Sequence, residues 1–207
     1  MHVYGHPLSS CTRKVLVTLA EKGQKADFTL VDLLKAEHKA PAHLKRHPFG
    51  VVPVFDDDGF VLYESRAIIR YIDARFPDPP LTPSHPRDVA RMDQWLSVDQ
   101  SYVGPHTRTL AVERILKKHD GQAPDPAAER AGEAALGAAL AVVDRALREG
   151  PGAYLAGPAF SLADVSLMPY IGSLRMLGAE HLLADRPHVL AWWERVRDRD
   201  SWRALPA

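Results

Sequence analysis

The chain has 207 residues, of which 46% are hydrophobic and 25% are charged, and its 26 basic residues balance 26 acidic ones. These values are ordinary for a globular protein, and the zero net charge argues against nucleic acid as a partner, since nucleic-acid-binding proteins normally carry a basic excess or patch. The single cysteine, Cys11, excludes an intramolecular disulfide and a Cys-x-x-Cys redox pair, and it fits a reducing compartment. The N-terminus shows no secretory signal and the longest apolar run is too short to span a membrane, so we expect a cytoplasmic protein with no membrane partner.

The first predicted elements are a strand, a turn and a helix. A short apolar strand at residues 3–4 runs into a Gly-His-Pro turn, and apolar residues within 15–20 then recur at helical spacing until Gly23. Residues 9–11, Ser-Ser-Cys, therefore lie at or just before a helix N-terminus, where unpaired N–H groups and the helix dipole favour an anion. Two interpretations follow: a serine that only caps the helix, or a site that holds a thiolate.

The following segments alternate between strand and helix patterns. They are a strand at 27–32, an irregular helix at 35–47, a hairpin across 51–63 around an Asp-Gly turn, and a helix capped by Ser65 that ends at Pro77. The order β-α-β-α-β-β-α predicts a small mixed sheet with helices on both faces.

A proline-rich stretch divides the sequence into two parts. Residues 77–86 contain five prolines and form the clearest linker. Only helical patterns follow, among them a capping-box motif at 161–164 ahead of an apolar helix. The sequence therefore predicts an α/β domain over 1–77, a linker over 78–86 and an all-α domain over 87–207.

This two-part architecture and several local motifs resemble the cytosolic glutathione transferases, in particular the phi class and its small bacterial members. The motifs stand in the order and spacing of that class: Tyr4-Gly-His-Pro-Leu-Ser9, Thr12-Arg-Lys-Val-Leu16, Glu37-His-Lys39, Pro48-Phe-Gly50, Val52-Pro53 and Glu64-Ser-Arg-Ala-Ile68. The Ser9-Ser10-Cys11 run also resembles the signature of the zeta class.

The resemblance implies a fold and an activity. It implies a thioredoxin-like N-terminal domain (βαβαββα) that binds glutathione, and an all-helical C-terminal domain that lines the site of a hydrophobic electrophile. It implies a detoxifying transferase that uses glutathione as co-substrate and assembles as a homodimer. His43 and His47 stand four residues apart, a spacing that suits a metal on a helix, but no third ligand is indicated, so we expect no metal.

Ser9 falls on the catalytic serine of the resembled classes. Its expected role is to donate a hydrogen bond to the glutathione sulfur, which favours thiolate over thiol without any general base. Ser10 is the nearest competitor, because a shift of one residue in the turn brings its hydroxyl forward. Cys11 is an alternative nucleophile, since a thiol at a helix N-terminus has a lowered pKa.

The same resemblance assigns the rest of the glutathione site. Glu64 and Ser65 are expected at the γ-glutamyl end, where Ser65 opens a helix and can bind a carboxylate. Lys39, with His38 beside it, is expected at the glycyl carboxylate. The Val52-Pro53 loop is expected to present its backbone to the cysteinyl portion, with a cis peptide bond before the proline.

The resemblance also suggests residues for the second-substrate pocket, and the sequence differs from the family pattern at two positions. Candidate pocket residues, taken from their places in the family layout, are Leu8, Tyr102, Val103, His106 and Met168. The family usually has Asn and Gln where this chain has His47 and Val51, and a valine has no polar side-chain atom with which to contact glutathione.

Three other functions fit the sequence as well. A glutathione-dependent thiol–disulfide exchanger would use Cys11 in place of Ser9. A transferase-like module that only binds apolar ligands or docks a partner would show no turnover with any thiol substrate. A zeta-like isomerase of maleyl compounds would use the Ser-Ser-Cys run.

Overall fold

The computed structural model describes residues 1–206, which divide into two compact units. The first comprises Met1–Leu81 together with the segment that begins at Arg199, and the second comprises Thr82–Asp198. The sequence predicts instead that everything beyond residue 86 belongs to the helical domain. The C-terminal segment departs from that prediction because Arg199 pairs with Glu21 of the first unit.

A four-stranded mixed sheet forms the centre of the first unit. Its strands are β1 (His2–Gly5), β2 (Asp27–Leu30), β3 (Val54–Asp57) and β4 (Phe60–Tyr63), in the spatial order β2-β1-β3-β4. Strand β1 is parallel to β2 and antiparallel to β3, and β3 and β4 form an antiparallel hairpin. This confirms the predicted thioredoxin-like α/β domain.

Helices pack against this sheet, whose buried residues lie on the two central strands, β1 and β3. The helices of the first unit are α1 (Ser10–Glu21), α2 (Pro41–Leu44) and α3 (Ser65–Arg75), with a 3₁₀ turn at Glu37–Lys39 and, from the C-terminal segment, α10 (Asp200–Arg203). Val3 of β1 stands opposite Phe55 of β3, and both are fully buried. Val15 of α1 and Ile68 of α3 are also fully buried, so apolar helix faces and the central strands of the sheet supply the core.

The second unit is entirely helical over its regular elements. Helices α4 (Pro86–Val98), α5 (Gly104–Ala111) and α6 (Lys117–His119) form one continuous run, joined by π-helical turns at Asp99–Val103 and Val112–Leu116, and α7 (Pro126–Glu149), α8 (Leu162–Ser173) and α9 (Pro187–Arg197) follow. The sequence predicts a kink or break at Pro105. The structure instead places a π-helical turn before it, so that the proline stands in the first turn of α5, where its missing N–H is not needed.

Helix α8 lies at the centre of the second unit. Every residue of α8 except Gly172 is buried. The predicted capping box is confirmed, because Ser161 accepts from the helix backbone and the Asp164 carboxylate accepts from the Ser161 N–H at 2.9 Å. Among residues 1–206, no helix is both long and apolar enough to cross a bilayer.

Candidate functional site

Ser9 stands at the junction between β1 and α1. Its N–H donates to the His6 carbonyl at 2.9 Å, and its extended backbone makes it the N-cap of α1. Its Oγ accepts the Thr12 N–H at 3.4 Å, so the predicted capping role is confirmed. The Ser9 hydroxyl proton has no acceptor within the described part of the chain. Capping therefore leaves the hydroxyl able to donate to a ligand.

Two neighbouring side chains of α1 hold the turn that carries Ser9. Thr12 accepts the His6 N–H at 3.3 Å, and a Cβ on Gly5 would lie 2.5 Å from the Thr12 Cγ2, so only glycine permits this approach. The Nε–H of Arg13 donates to the Pro7 carbonyl at 2.7 Å. The turn is therefore tied to the first turn of α1 at His6 and at Pro7.

Ser10 and Cys11 are the first two residues of α1. Both are half-buried, and Cys11 is a free thiol. Both follow Ser9 directly in the chain, so each remains an alternative whose role must be tested against that of Ser9.

The loop that enters β3 contains the expected cis peptide bond. The Val52-Pro53 bond is cis, and Pro53 is buried. Nε2 of the buried His43, in α2, lies 2.8 Å from the Val51 carbonyl oxygen. Because a carbonyl can only accept, Nε2 carries the proton, and His43 ties the loop to α2.

The start of the same loop requires glycine and contacts Lys39. The N–H of Gly50 donates to the His47 carbonyl at 2.8 Å, and Gly50 has a φ of +57°. A Cβ at this position would lie 2.9 Å from the His38 carbonyl oxygen. The Lys39 ammonium donates to the Phe49 carbonyl at 3.2 Å, so the exposed Lys39 lies against this loop, as does the backbone of His38.

Glu64 and Ser65 form the N-terminus of α3. Ser65 is only 3% exposed, and its Oγ has no hydrogen-bond partner among residues 1–206. Glu64 is exposed and has a φ of +71°, a conformation that is uncommon for a side chain other than glycine and that concentrates at functional sites. A buried hydroxyl without a partner at a helix N-terminus suits a carboxylate ligand.

The strand register brings these three segments to one end of the sheet. Val54 stands opposite Tyr4 of β1 and opposite Tyr63 of β4. The Ser9 turn follows the end of β1, Pro53 precedes the start of β3, and Glu64 follows the end of β4. Three segments far apart in sequence therefore meet at the same edge.

His47 lies in this region, and the sequence singles it out as a departure from the family pattern and by its spacing from His43. It is 1% exposed, its ring centroid lies 4.7 Å from that of Tyr63, and its Nδ1 is buried without a partner inside the described range. Burial lowers the pKa of His47, Glu64 opposes this, and the charge interactions with His43 and Lys39 lower it further. The four-residue spacing of His43 and His47 pointed to a possible metal pair, whereas the structure gives them packing and loop contacts. No group of three metal-ligating side chains occurs among residues 1–206.

The predicted second-substrate residues differ in their surroundings. Leu8 of the first unit is 42% exposed, and in the second unit Tyr102 is 60% exposed and His106 is half-buried. Val103 and Met168 are fully buried in the core of the second unit. A groove of about 640 Å³ in the second unit has a wall on α7, and none of these residues lines it. The electrophile site stays a prediction.

Comparisons with known proteins agree with this geometry. The family profile of the glutathione S-transferase N-terminal domain matches residues 1–74, and that of the C-terminal domain matches residues 125–195. Glutathione S-transferase F9 of Arabidopsis thaliana is 34% identical over 100% of this chain and 96% of its own length. Glutathione S-transferase hmp2 of Hypomyces subiculosus is 34% identical over 97% of this chain and 94% of its own length. The crystal structure of glutathione transferase F7 from Populus trichocarpa superposes with a TM-score of 0.89 and 31% identity, covering 99% of this chain and 96% of that one. The chain therefore belongs to the glutathione S-transferase family, in its phi class.

Proposed function

We propose that this chain conjugates glutathione to hydrophobic electrophiles and that the Ser9 hydroxyl stabilises the glutathione thiolate. The observation that carries this proposal is the hydrogen bonding of Ser9. Its Oγ accepts from Thr12 as a helix cap, and its hydroxyl proton remains available at the positive end of α1. An anionic sulfur placed there accepts one charge-assisted hydrogen bond and lies in the favourable field of the helix.

The energies involved are sufficient for this role. Lowering a thiol pKa from about 8.5 to about 6.5 requires about 2.7 kcal/mol of preference for the anion. One hydrogen bond to a charged acceptor contributes roughly 1.5–3 kcal/mol, and a helix N-terminus contributes about 0.3–1 kcal/mol. Ser9 therefore acts as a hydrogen-bond donor and needs neither a general base nor a nucleophilic role.

The other predicted residues would hold the tripeptide. Ser65 would give its unpartnered hydroxyl and the N-terminal N–H of α3 to the γ-glutamyl carboxylate, and Glu64 would face the ammonium group. Lys39, with His38, would bind the glycyl carboxylate. The cis Val52-Pro53 loop would present main-chain groups to the cysteinyl portion.

The reaction then balances without a further cofactor. The thiol proton leaves to solvent, the sulfur lone pair forms a C–S bond with the ring carbon of an aromatic halide, and the halide ion departs with the electrons of the broken carbon–halogen bond. With an activated alkene, water protonates the carbanion that the attack creates. Leu8, Tyr102 and His106 are the exposed or half-buried candidates for contact with the electrophile, whereas the candidates Val103 and Met168 are fully buried in the second unit.

Assembly and location extend this proposal. We propose a homodimer that uses the β3–β4 hairpin and α3, on which Phe60 is 51% and Val61 38% exposed. A monomeric mass by light scattering at assay concentration would refute it. Location in the cytoplasm is also proposed, supported by the unpaired thiol of Cys11.

The decisive experiment measures the ultraviolet thiolate absorbance of bound glutathione against pH. Wild type should show a thiol pKa well below about 8.5, and Ser9→Ala should restore a nearly normal value, whereas the matched neighbour Ser10→Ala should not. A Ser9→Ala variant that keeps the depressed pKa would transfer the role to Ser10 or Cys11. A disulfide reductase activity that is lost in Cys11→Ala and kept in Ser9→Ala would favour the exchanger. Bound glutathione without a thiolate band would favour a binding module.

A further inference from the structure

The C-terminal segment packs along α1, the helix that Ser9 caps. Arg199 pairs with Glu21 at the end of α1: its Nε donates to Oε1 at 2.6 Å and its Nη2 to Oε2 at 2.7 Å. The Ser201 hydroxyl donates to the same carboxylate at 2.5 Å. Burial alone would raise the pKa of Glu21, but the hydrogen bonds from Arg199 and Ser201 prevail and lower it. The carboxylate is therefore held ionised by three donors from one short segment.

A second contact of this segment lies near the start of α1. The guanidinium carbon of Arg13 lies 5.5 Å from the ring centroid of Trp202, within the range of a cation–π contact. Arg13 and Glu21 are eight residues apart, which is about 12 Å along a helix axis. The segment thus contacts α1 at both of its ends.

Arg13 also connects this contact to the Ser9 turn. Its Nε–H donates to the Pro7 carbonyl at 2.7 Å, two residues before Ser9. Arg13 is half-buried, and burial lowers its pKa because the charged guanidinium loses part of its water. A continuous series of contacts therefore runs from the Trp202 indole through the Arg13 guanidinium to the Pro7 carbonyl.

We propose that residues 199–202 form a C-terminal brace and that Trp202 is a positioning residue for thiolate stabilisation, acting through Arg13. This inference rests on the proposed role of Ser9. The indole face restricts the guanidinium to the rotamer that reaches the Pro7 carbonyl, and the Glu21 ion pair keeps the indole in place. Without the indole, Arg13 gains solvated rotamers, the Pro7 carbonyl loses its donor, and the Ser9 hydroxyl is less well aligned with sulfur.

The test is the thiol pKa of bound glutathione in Trp202→Leu, which keeps apolar bulk but removes the aromatic face. We expect that pKa to rise by about one half to one pH unit, equivalent to a three- to tenfold loss of thiolate at low pH. Trp202→Phe should restore most of the effect, since a phenyl ring also binds a guanidinium. The matched control is Arg203→Ala, because Arg203 is an exposed residue of the same helix that pairs with Asp200.

Two further comparisons separate positioning from stability and from failure of the proposed function. In a Ser9→Ala background, Trp202→Leu should not raise the thiol pKa of bound glutathione any further. The rise in that pKa in the double variant Arg13→Leu/Trp202→Leu should be smaller than the sum of the rises in the two single variants. If wild type has a depressed thiol pKa and folded Trp202→Leu keeps it, the brace is refuted while Ser9 stands. If wild type has no depressed pKa, the proposed function itself fails. If Trp202→Leu does not fold at 25 °C, Arg199→Ala replaces it, and we expect the same rise in the thiol pKa of bound glutathione. An unchanged thiol pKa in Arg199→Ala would also refute the brace.

Discussion

The His43 ring donates a 2.8 Å hydrogen bond from Nε2 to the carbonyl of Val51, one residue before the cis Val52-Pro53 peptide. This bond joins α2 to the loop that is proposed to present its backbone to glutathione. The side chain of Val51 has no polar atom, so its carbonyl is the polar group available here. His43 is buried, and its loss would leave that carbonyl without its donor.

Replacing His43 with leucine should therefore weaken glutathione binding more than it slows the chemical step. A net hydrogen bond contributes about 1 kcal/mol, which corresponds to about a fivefold rise in KM for glutathione. The kcat at saturating glutathione should change little, because Ser9 lies on a different segment. Initial rates with 1-chloro-2,4-dinitrobenzene, measured against glutathione concentration, test this. An exposed histidine of the second unit, in His119→Leu, is the control. An unchanged KM with a reduced kcat would contradict the assignment.

His47 should make the stability of the protein depend on pH below neutrality. Burial, His43 and Lys39 lower its pKa from the ordinary value of 6.5, against the opposing effect of Glu64. In the unfolded chain the ring protonates near its ordinary value, so the unfolded state binds more protons as the pH falls below about 6.5. Stability is therefore complete above that value and decreases as the pH falls toward the lowered pKa. His6 has a lowered pKa as well, chiefly through burial, and contributes in the same direction.

Thermal unfolding of wild type and His47→Asn between pH 5 and 8 isolates the contribution of His47. The Tm of wild type should fall more steeply below pH 6.5 than that of the variant, because the His6 contribution is common to both. Parallel curves would show that His47 does not titrate differently in the folded protein.

Gly50 offers a comparison between steric contact and backbone strain. Gly50 has a φ of +57° and Gly23 a φ of +62°, but a Cβ on Gly23 would meet nothing within 4 Å. A Cβ on Gly50 would lie 2.9 Å from both the His38 carbonyl oxygen and the Leu44 Cδ2. Gly23→Ala should cost about 1 kcal/mol from the left-handed backbone alone, and Gly50→Ala should cost more.

Urea unfolding of the two glycine variants measures this difference, and the KM for glutathione supplies a second readout. Only Gly50→Ala should raise that KM, because only Gly50 belongs to the proposed glutathione loop. Equal losses of stability and unchanged KM values would show that the loop accommodates the methyl group.

The sequence predicts much of the fold because its elements are local. Period-two and helical patterns identify the order of the first unit, and the proline-rich segment marks the change to helices. The capping of α1 by Ser9 and the box at Ser161 are also local, since donor and acceptor lie within three residues. The cis bond before Pro53 was expected only from the resemblance and is confirmed.

The parts that the sequence does not predict depend on contacts between distant residues. The role of His43 depends on a main-chain carbonyl in a loop whose path no pattern describes. Trp202 looks like any apolar residue of a terminal helix, and helical spacing does not indicate which unit that helix contacts. Pro105 predicts a disturbed helix, but the choice between a kink and a preceding π-helical turn depends on packing around α5.

Asp164 should contribute to the stability of the second unit through its buried hydrogen bonds. The fully buried carboxylate accepts from the Ser161 N–H at 2.9 Å, the Leu155 N–H at 3.0 Å and the Trp192 Nε1–H at 2.8 Å. Asp164→Asn keeps the shape of the side chain but replaces one accepting oxygen with an NH₂ donor. That NH₂ then faces an N–H group that the carboxylate oxygen had accepted, and this N–H loses its acceptor. Because a hydrogen bond to a charged group contributes roughly 1.5–3 kcal/mol, we expect the variant to lose about 2–4 kcal/mol by urea unfolding.

The matched control for Asp164→Asn is Trp192→Phe, which removes one donor and keeps most of the aromatic packing. It should cost less than Asp164→Asn, and the double variant should cost less than the sum, since both changes remove the same hydrogen bond. The thiol pKa of bound glutathione should be unchanged in every variant that remains folded, because Asp164 belongs to the second unit and Ser9 to the first. Full additivity of the two losses would mean that the indole and the carboxylate stabilise α8 independently.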